Sequence, residues 1–220
     1  VLWGAKKKEE YADINEFIKT QDVISEVHYC GENLAAEEIN CIMETVETPW
    51  VWFIYGKGRI KSENLLNELS VYYERKDVAT IDMKIVAADG TLLSGGCYLS
   101  GDSGMPVQIR CMGGPEDYAG YENALLYNRV VSASLGYSTL VNVAIWRKDD
   151  KLRNENLSIV RYSYMQGRNG FLNIWTPFIQ LENVETNAKE DIIQGLCGLH
   201  EYYETKDPFF NNIIKKLKLE

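Results

Sequence analysis

The stretch Pro49-Trp50-Val51-Trp52-Phe53-Ile54-Tyr55 is an unbroken apolar run, rich in aromatic and β-branched residues, that stops abruptly at Gly56-Lys57-Gly58. A strand exposed on one face alternates apolar and polar residues, whereas a strand buried on both faces reads as a continuous apolar run. Covering both faces requires helices on either side, which commits the chain to an α/β arrangement. Proteins of that class bind their ligands at the carboxyl ends of such strands. Lys57 therefore stands where a ligand is expected. A helical pattern follows directly, from Ser62 through Glu63-Asn64-Leu65-Leu66-Asn67-Glu68-Leu69.

The rest of the chain alternates in the same way. Tyr11 to Thr20 places Ile14, Phe17 and Ile18 on one helical face, Val23 to Tyr29 is β-rich, and Glu37 to Val46 groups Ile39, Ile42, Met43 and Val46 on a helix. After the Trp50–Tyr55 strand, the pattern predicts a helix over Glu63 to Tyr73 and a strand over Ala79 to Val86. A turn at Ala88-Asp89-Gly90 and a returning strand over Leu92 to Leu99 follow. Ser100 to Tyr121, rich in Gly, Pro and Asp, reads as a long loop of the functional or mobile kind. Val130 to Trp146 is apolar and small-residue-rich, Lys148 to Asn156 is a charged hinge, Lys189 to Glu204 reads as a tail helix, and Ile213 to Glu220 is a short amphipathic end. This alternation predicts a mostly parallel sheet flanked by helices.

Composition narrows the function classes. A net charge of −9 argues against a broad nucleic-acid surface. No run approaches the ~20 apolar residues of a membrane span, so no transmembrane segment is expected. Cys30, Cys41, Cys97, Cys111 and Cys197 are odd in number and form no C-x-x-C pair. They read as buried free thiols of a reducing compartment. His28 and His200, the only histidines, do not supply a multi-histidine metal site or a Ser-His-Asp triad. A cytoplasmic location is expected, with a membrane-peripheral one also open.

Separated motifs point to one family. They are Glu32-Asn33-Leu34-Ala35-Ala36 through Asn40, Phe53-Ile54-Tyr55-Gly56-Lys57, and Asp89-Gly90-Thr91-Leu92 with Gly95-Gly96. Gly170-Phe171-Leu172-Asn173-Ile174-Trp175-Thr176-Pro177-Phe178 and Asp207-Pro208-Phe209-Phe210-Asn211 continue the series in the right order. Together they resemble the family 2 glycosyltransferases of the GT-A fold, in the rhamnosyltransferase-like branch. In that family the segments read E-N-L-G-x-A-x-x-x-N, F-L-x-x-D, D-G-T-I-x-x-x-G, G-Y-R-N-V-W-T-P-Y and D-P-Y-Y-N. The resemblance implies a GT-A-like domain over residues 1–188, with a helical tail over 189–220. It also implies that Val1 to Gly4 stands for the family's second strand, so that the first β-α unit is missing.

A GT-A enzyme of this family moves a sugar from a nucleotide diphosphate to an acceptor hydroxyl. It uses a divalent ion on the acidic motif, a carboxylate base from an E/N-D-V-D helix start, and a late histidine. Carried onto this chain, the acidic position is Lys57, and the base motif is Ser158-Ile159-Val160-Arg161, with Ile159 at the base and Arg161 at the following acid. The histidine pair becomes Asn183-Val184, and the acids after the first strand present become Trp3-Gly4-Ala5-Lys6. The implied reading is a degenerate, non-catalytic domain with no metal and no cofactor, acting as a partner, scaffold or glycan-binding module in polysaccharide assembly. The alternative is an active, metal-independent transferase in which Lys57, Arg59 and Arg161 converge on the diphosphate of a nucleotide sugar. Tyr118 and Tyr121 are the candidate sugar-stacking residues; Trp175 is a further ligand-binding candidate, although Trp175-Thr176-Pro177 reads most simply as a strand end packing on the core. Gly56-Lys57-Gly58 does not complete the G-x-x-x-x-G-K-[ST] phosphate loop. An upstream catalytic domain, self-association, or the tail itself is expected to cover the place of the absent unit.

Overall fold

The computed structural model describes residues 1–4, 7–21, 26–32, 34–62, 64–99, 107–109, 112–148 and 158–184. Its centre is one mixed sheet. In spatial order it contains β1 (Leu2–Trp3), β2 (Trp50–Tyr55), β9 (Ser138–Asn142), β4 (Val78–Ala87), β10 (Leu172–Val184) and β3 (Arg59–Ser62). Two short strands branch from it, β5 (Leu92–Ser94) on β4 and β8 (Arg129–Val131) on β10. A separate hairpin pairs β6 (Cys97–Leu99) with β7 (Val107–Ile109). β1 pairs parallel with β2 and β4 pairs parallel with β10, while β9 runs antiparallel between β2 and β4. Strands β1, β2, β4 and β10 therefore point the same way, and their carboxyl ends share one side of the molecule.

Helices cover both faces, as the apolar run requires. Register places Trp52, Leu140 and Ile81 in one row and Phe53, Thr139 and Asp82 in the next, so the two rows face opposite ways. Val51, Phe53 and Val141 pack against α2 (Ala36–Thr45), α4 (Val143–Lys148) and α5 (Ile159–Arg168), through Ile39, Met43, Trp146, Ile159 and Tyr162. On the other face, Ile54 and Ile81 meet Ile14 of α1 (Ala12–Lys19) and Leu65 and Tyr72 of α3 (Leu65–Tyr73). A cavity of about 730 Å³ lies on this second face, walled by Trp50, Trp52, Leu65, Leu69, Ile81 and Leu140.

The Thr176-Pro177 step bends the sheet. Thr176 pairs with Met83 but Gln180 pairs with Lys84, so Pro177, Phe178 and Ile179 bulge out of the ladder. Proline has no N–H to give a partner strand, and a bulge is where a central strand can hold one. Beyond the bulge β10 turns back with β3. The short link Gly56–Arg59 carries the chain from β2 to β3, and Gly58 lies against Leu181 and the Glu182 carbonyl.

Leu2–Trp3, read as the second strand of the domain, lies directly beside β2 and parallel to it. On one edge Leu2 N–H donates to His28 O (2.8 Å), and on the other Gly56 N–H donates to Trp3 O (2.6 Å). The apolar segment after Val130 divides into β8, β9 and α4, and the strand-like run Gly136–Asn142 within it contains β9. Cys41 is exposed rather than buried. The tail helix, the amphipathic end and the whole 189–220 region lie outside the described residues, as does most of the charged hinge. Among the described residues, no helix is long and apolar enough to cross a membrane.

Candidate functional site

The carboxyl ends of β1 and β2 meet side by side and pass at once into glycine. Gly4 holds φ at +91°, a conformation that side chains rarely adopt, and a methyl group there would run into the Tyr55 ring. A methyl at Gly56 would run into the ring of Tyr11. Both glycines let aromatic rings lie directly on the backbone. Tyr137 joins them from the turn before β9, where its carbonyl accepts from Tyr55 N–H at 2.7 Å.

The result is a cluster of aromatic faces. Trp3 lies 5.1 Å from Tyr55 and 5.4 Å from Tyr137, and Tyr55 lies 5.3 Å from Tyr137, in edge-on and tilted geometries. Tyr137 is buried and forms the floor, while Trp3 and Tyr55 are half-buried. Tyr11 packs 5.6 Å from the exposed Tyr29 and donates its hydroxyl hydrogen to Cys30 O (3.0 Å). The indole N–H of Trp3 is buried and has no acceptor among the described residues. Lys57, half-buried, follows Gly56 in the turn.

The start of α5 closes the site from the opposite face. Ser158 caps the helix, its Oγ accepting from Arg161 N–H at 3.3 Å. Ile159 is 4% exposed and packs against Gly136. The position expected for a base is thus occupied by an apolar side chain wedged into the core.

The three expected cations do not act as one set. Arg59 donates to Glu182 at 2.9 Å, and Lys61 approaches the other oxygen of Glu182 at 2.9 Å and Glu116 at 3.4 Å. Arg59 and Glu182 are direct partners across the β3–β10 ladder. Burial pushes the Glu182 carboxyl up, but its hydrogen bonds to Arg59 and Lys61 outweigh this and hold it below the usual carboxylate range. Arg59 is therefore a sheet-edge residue engaged with Glu182. Arg161 lies on α5, on the sheet face opposite α1, whose Asp13 acts on Arg59. Of the three, Lys57 is the one in the turn directly after β2.

The aromatic candidates also separate. Trp175 is fully buried among Val86, Leu92, Tyr98, Leu125 and Val131, so its ring is core rather than ligand surface. Tyr118 is 42% exposed in the turn after Pro115, next to the Glu116 that reaches Lys61. Tyr121 sits in a 3-10 turn, Tyr121–Asn123, of which the backbone is described.

The sequence reading missed Trp3, Tyr55 and Tyr137 as a group, and missed Asp82 altogether. Asp82 is wholly buried in β4, and burial pushes its carboxyl up to about 7 against the opposing hydrogen bonds from Thr139, Leu135 and Met83. It belongs to a polar layer beneath α5. There Thr80 Oγ1 donates to Asn173 Oδ1 (2.8 Å), and Asn173 Nδ2 donates to Ser163 O (2.8 Å) and Ser132 O (3.2 Å). Polar residues at alternate positions, Thr80, Asp82 and Lys84, were the available signal.

No family model matches the chain, and no curated protein matches it. Among solved structures it is similar to one titled "Crystal Structure of A197 from STIV", at 7% identity and a TM-score of 0.47, over 82% of this chain and 81% of that one.

Proposed function

We propose that this chain is a non-catalytic, GT-A-like domain that binds a neutral glycan at the carboxyl ends of β1 and β2. The observation supporting this is the furnishing of those ends. Trp3, Tyr55 and Tyr137 bring aromatic faces together there, and Lys57 brings an ammonium, while Ile159 stands at the position of the base. A transferase of the resembled kind needs an acid to hold a metal and a base to take the acceptor proton. Aromatic faces serve a different task, because the C–H faces of a sugar stack on them and bury apolar area. The Lys57 ammonium would donate to a sugar hydroxyl.

The alternative, a metal-independent transferase, needs a convergent set of cations for a diphosphate. The engagement of Arg59 with Glu182 counts against it. Fluorescence titration with neutral hexasaccharides of glucose and of rhamnose tests the proposal. Saturable quenching is expected, with Trp3→Ala weakening the affinity by about tenfold, the upper range of one aromatic contact. Uridine or thymidine diphosphate binding in preference to every hexasaccharide would replace this reading with the alternative.

A further inference from the structure

The buried Asp82 lies one layer behind the aromatic site and touches the turn that builds it. Asp82 Oδ1 accepts from Thr139 Oγ1–H at 2.6 Å, and its Oδ2 accepts from Leu135 N–H at 3.3 Å. Thr139 Oγ1 in turn accepts from Gly136 N–H at 3.0 Å. One carboxylate thus fastens both ends of the Leu135–Thr139 turn to β4, directly and through a hydroxyl. Tyr137 is in the middle of that turn, with its ring against Trp3 and Tyr55.

We propose that Asp82 is the positioning residue of this site, holding the turn, and through it the Tyr137 ring, in place against Trp3 and Tyr55. The carboxylate form suits the task, since both oxygens face donors. A protonated carboxyl reverses the Thr139 bond, donating to the hydroxyl's second lone pair, or turns its O–H against Leu135 N–H; either way the charge that strengthens both contacts is gone. Burial and the hydrogen bonds from Thr139, Leu135 and Met83 are the causes of its shift. On the same face of β4, Thr80 is bonded to Ser134 and Asn173, and Lys84 donates to Glu116 O (2.6 Å). Across the ladder stands the apolar ring of Trp175, and α5 contributes Ser163 to the layer, donating to Val160 O (2.9 Å). The charge on Asp82, and with it the hydrogen bonding that seats Tyr137, should therefore change as the pH passes through about 7.

The proposal rests on the glycan-binding reading only for its second readout. The first needs no ligand: near-ultraviolet circular dichroism, which senses the Trp3, Tyr55 and Tyr137 rings, followed from pH 5 to pH 8.5. The background carries His28→Gln and His200→Gln, because imidazole charge changes in the same range. A transition centred near 7 is expected there, absent in Asp82→Asn, retained in Thr139→Ser and weakened in Thr139→Val. Should Asp82→Asn fail to fold, Thr139→Val carries the test, since it removes the hydroxyl alone. Hexasaccharide affinity should change over the same curve, by about tenfold between pH 5.5 and pH 8, the ratio that separates a charged from a neutral hydrogen bond. A transition that persists in Asp82→Asn, or none in the background, overturns the proposal. A transition without hexasaccharide binding upholds it and removes the glycan reading instead.

Discussion

A methyl group at Gly56 has no room, because the Tyr11 ring lies against that backbone. Gly56→Ala should therefore destabilise the fold by about 1–3 kcal/mol, the usual cost of overpacking, as read by urea unfolding. Gly31→Ala is the control, with nothing within 4 Å of the added carbon. It should change stability by no more than about 0.5 kcal/mol. Asp82 makes a second prediction at this scale, through the pH dependence of stability. Its folded pKa, about 7, lies above the unfolded value of about 3.9, so between these the unfolded chain releases the proton that the folded one keeps. This contribution is fully present below the unfolded pKa and is lost as pH rises toward 7. Asp82→Asn should flatten a stability slope that approaches about 1.4 kcal/mol per pH unit over that window. Glu182 has the opposite sign. Its lowered pKa gives stability that is present above the unfolded value and is lost in acid.

At the scale of elements, the polar layer joins β4, β10, α5 and the turn before β9. Asn173 is 1% exposed and bonds Thr80, Ser132 and Ser163, so Asn173→Ala strands buried partners on three segments. A loss of about 2–4 kcal/mol is expected in thermal or urea unfolding, well above the ~1 kcal/mol of the exposed cap mutation Ser158→Ala. Elements with a strong period were legible in the sequence. The Trp50–Tyr55 run is β2 with the same bounds, and the Tyr11–Thr20, Glu37–Val46 and Glu63–Tyr73 patterns are α1, α2 and α3 to within a residue or two. β3 was not legible, because Arg59-Ile60-Lys61-Ser62 is too short to declare a period and forms only against β10. The helix α4 was hidden for a related reason: Val143-Ala144-Ile145-Trp146 continues the apolar character of β9 without a break. The site was half legible. The apolar run located its strand and Lys57, but the rings of Trp3 and Tyr137 lie far from Tyr55 in sequence and meet only through strand pairing.

At the scale of the molecule, an apolar cavity lies beneath α3, and Glu26 and Glu74 stand on its lining. The chain runs on from Val184 to Glu220, and its last segment alternates Ile213, Ile214, Leu217 and Leu219 with Lys215, Lys216 and Lys218. Such a segment suits an apolar cavity with an acidic margin. Deleting residues 185–220 should raise binding of an apolar fluorescent dye and promote self-association in sedimentation, because exposed apolar surface favours both. Unchanged dye binding and a monodisperse monomer would show that the tail leaves the cavity alone. The account's central claim, glycan binding without sugar transfer, meets its most direct test in a single nuclear magnetic resonance sample. It contains the protein, a nucleoside-diphosphate sugar and a neutral hexasaccharide, recorded with and without manganese. Saturation transfer from protein to hexasaccharide ring protons is expected, lost in Trp3→Ala, with no new anomeric signal under either condition. A growing anomeric signal of an extended saccharide, or a hexasaccharide that receives no saturation, would contradict it.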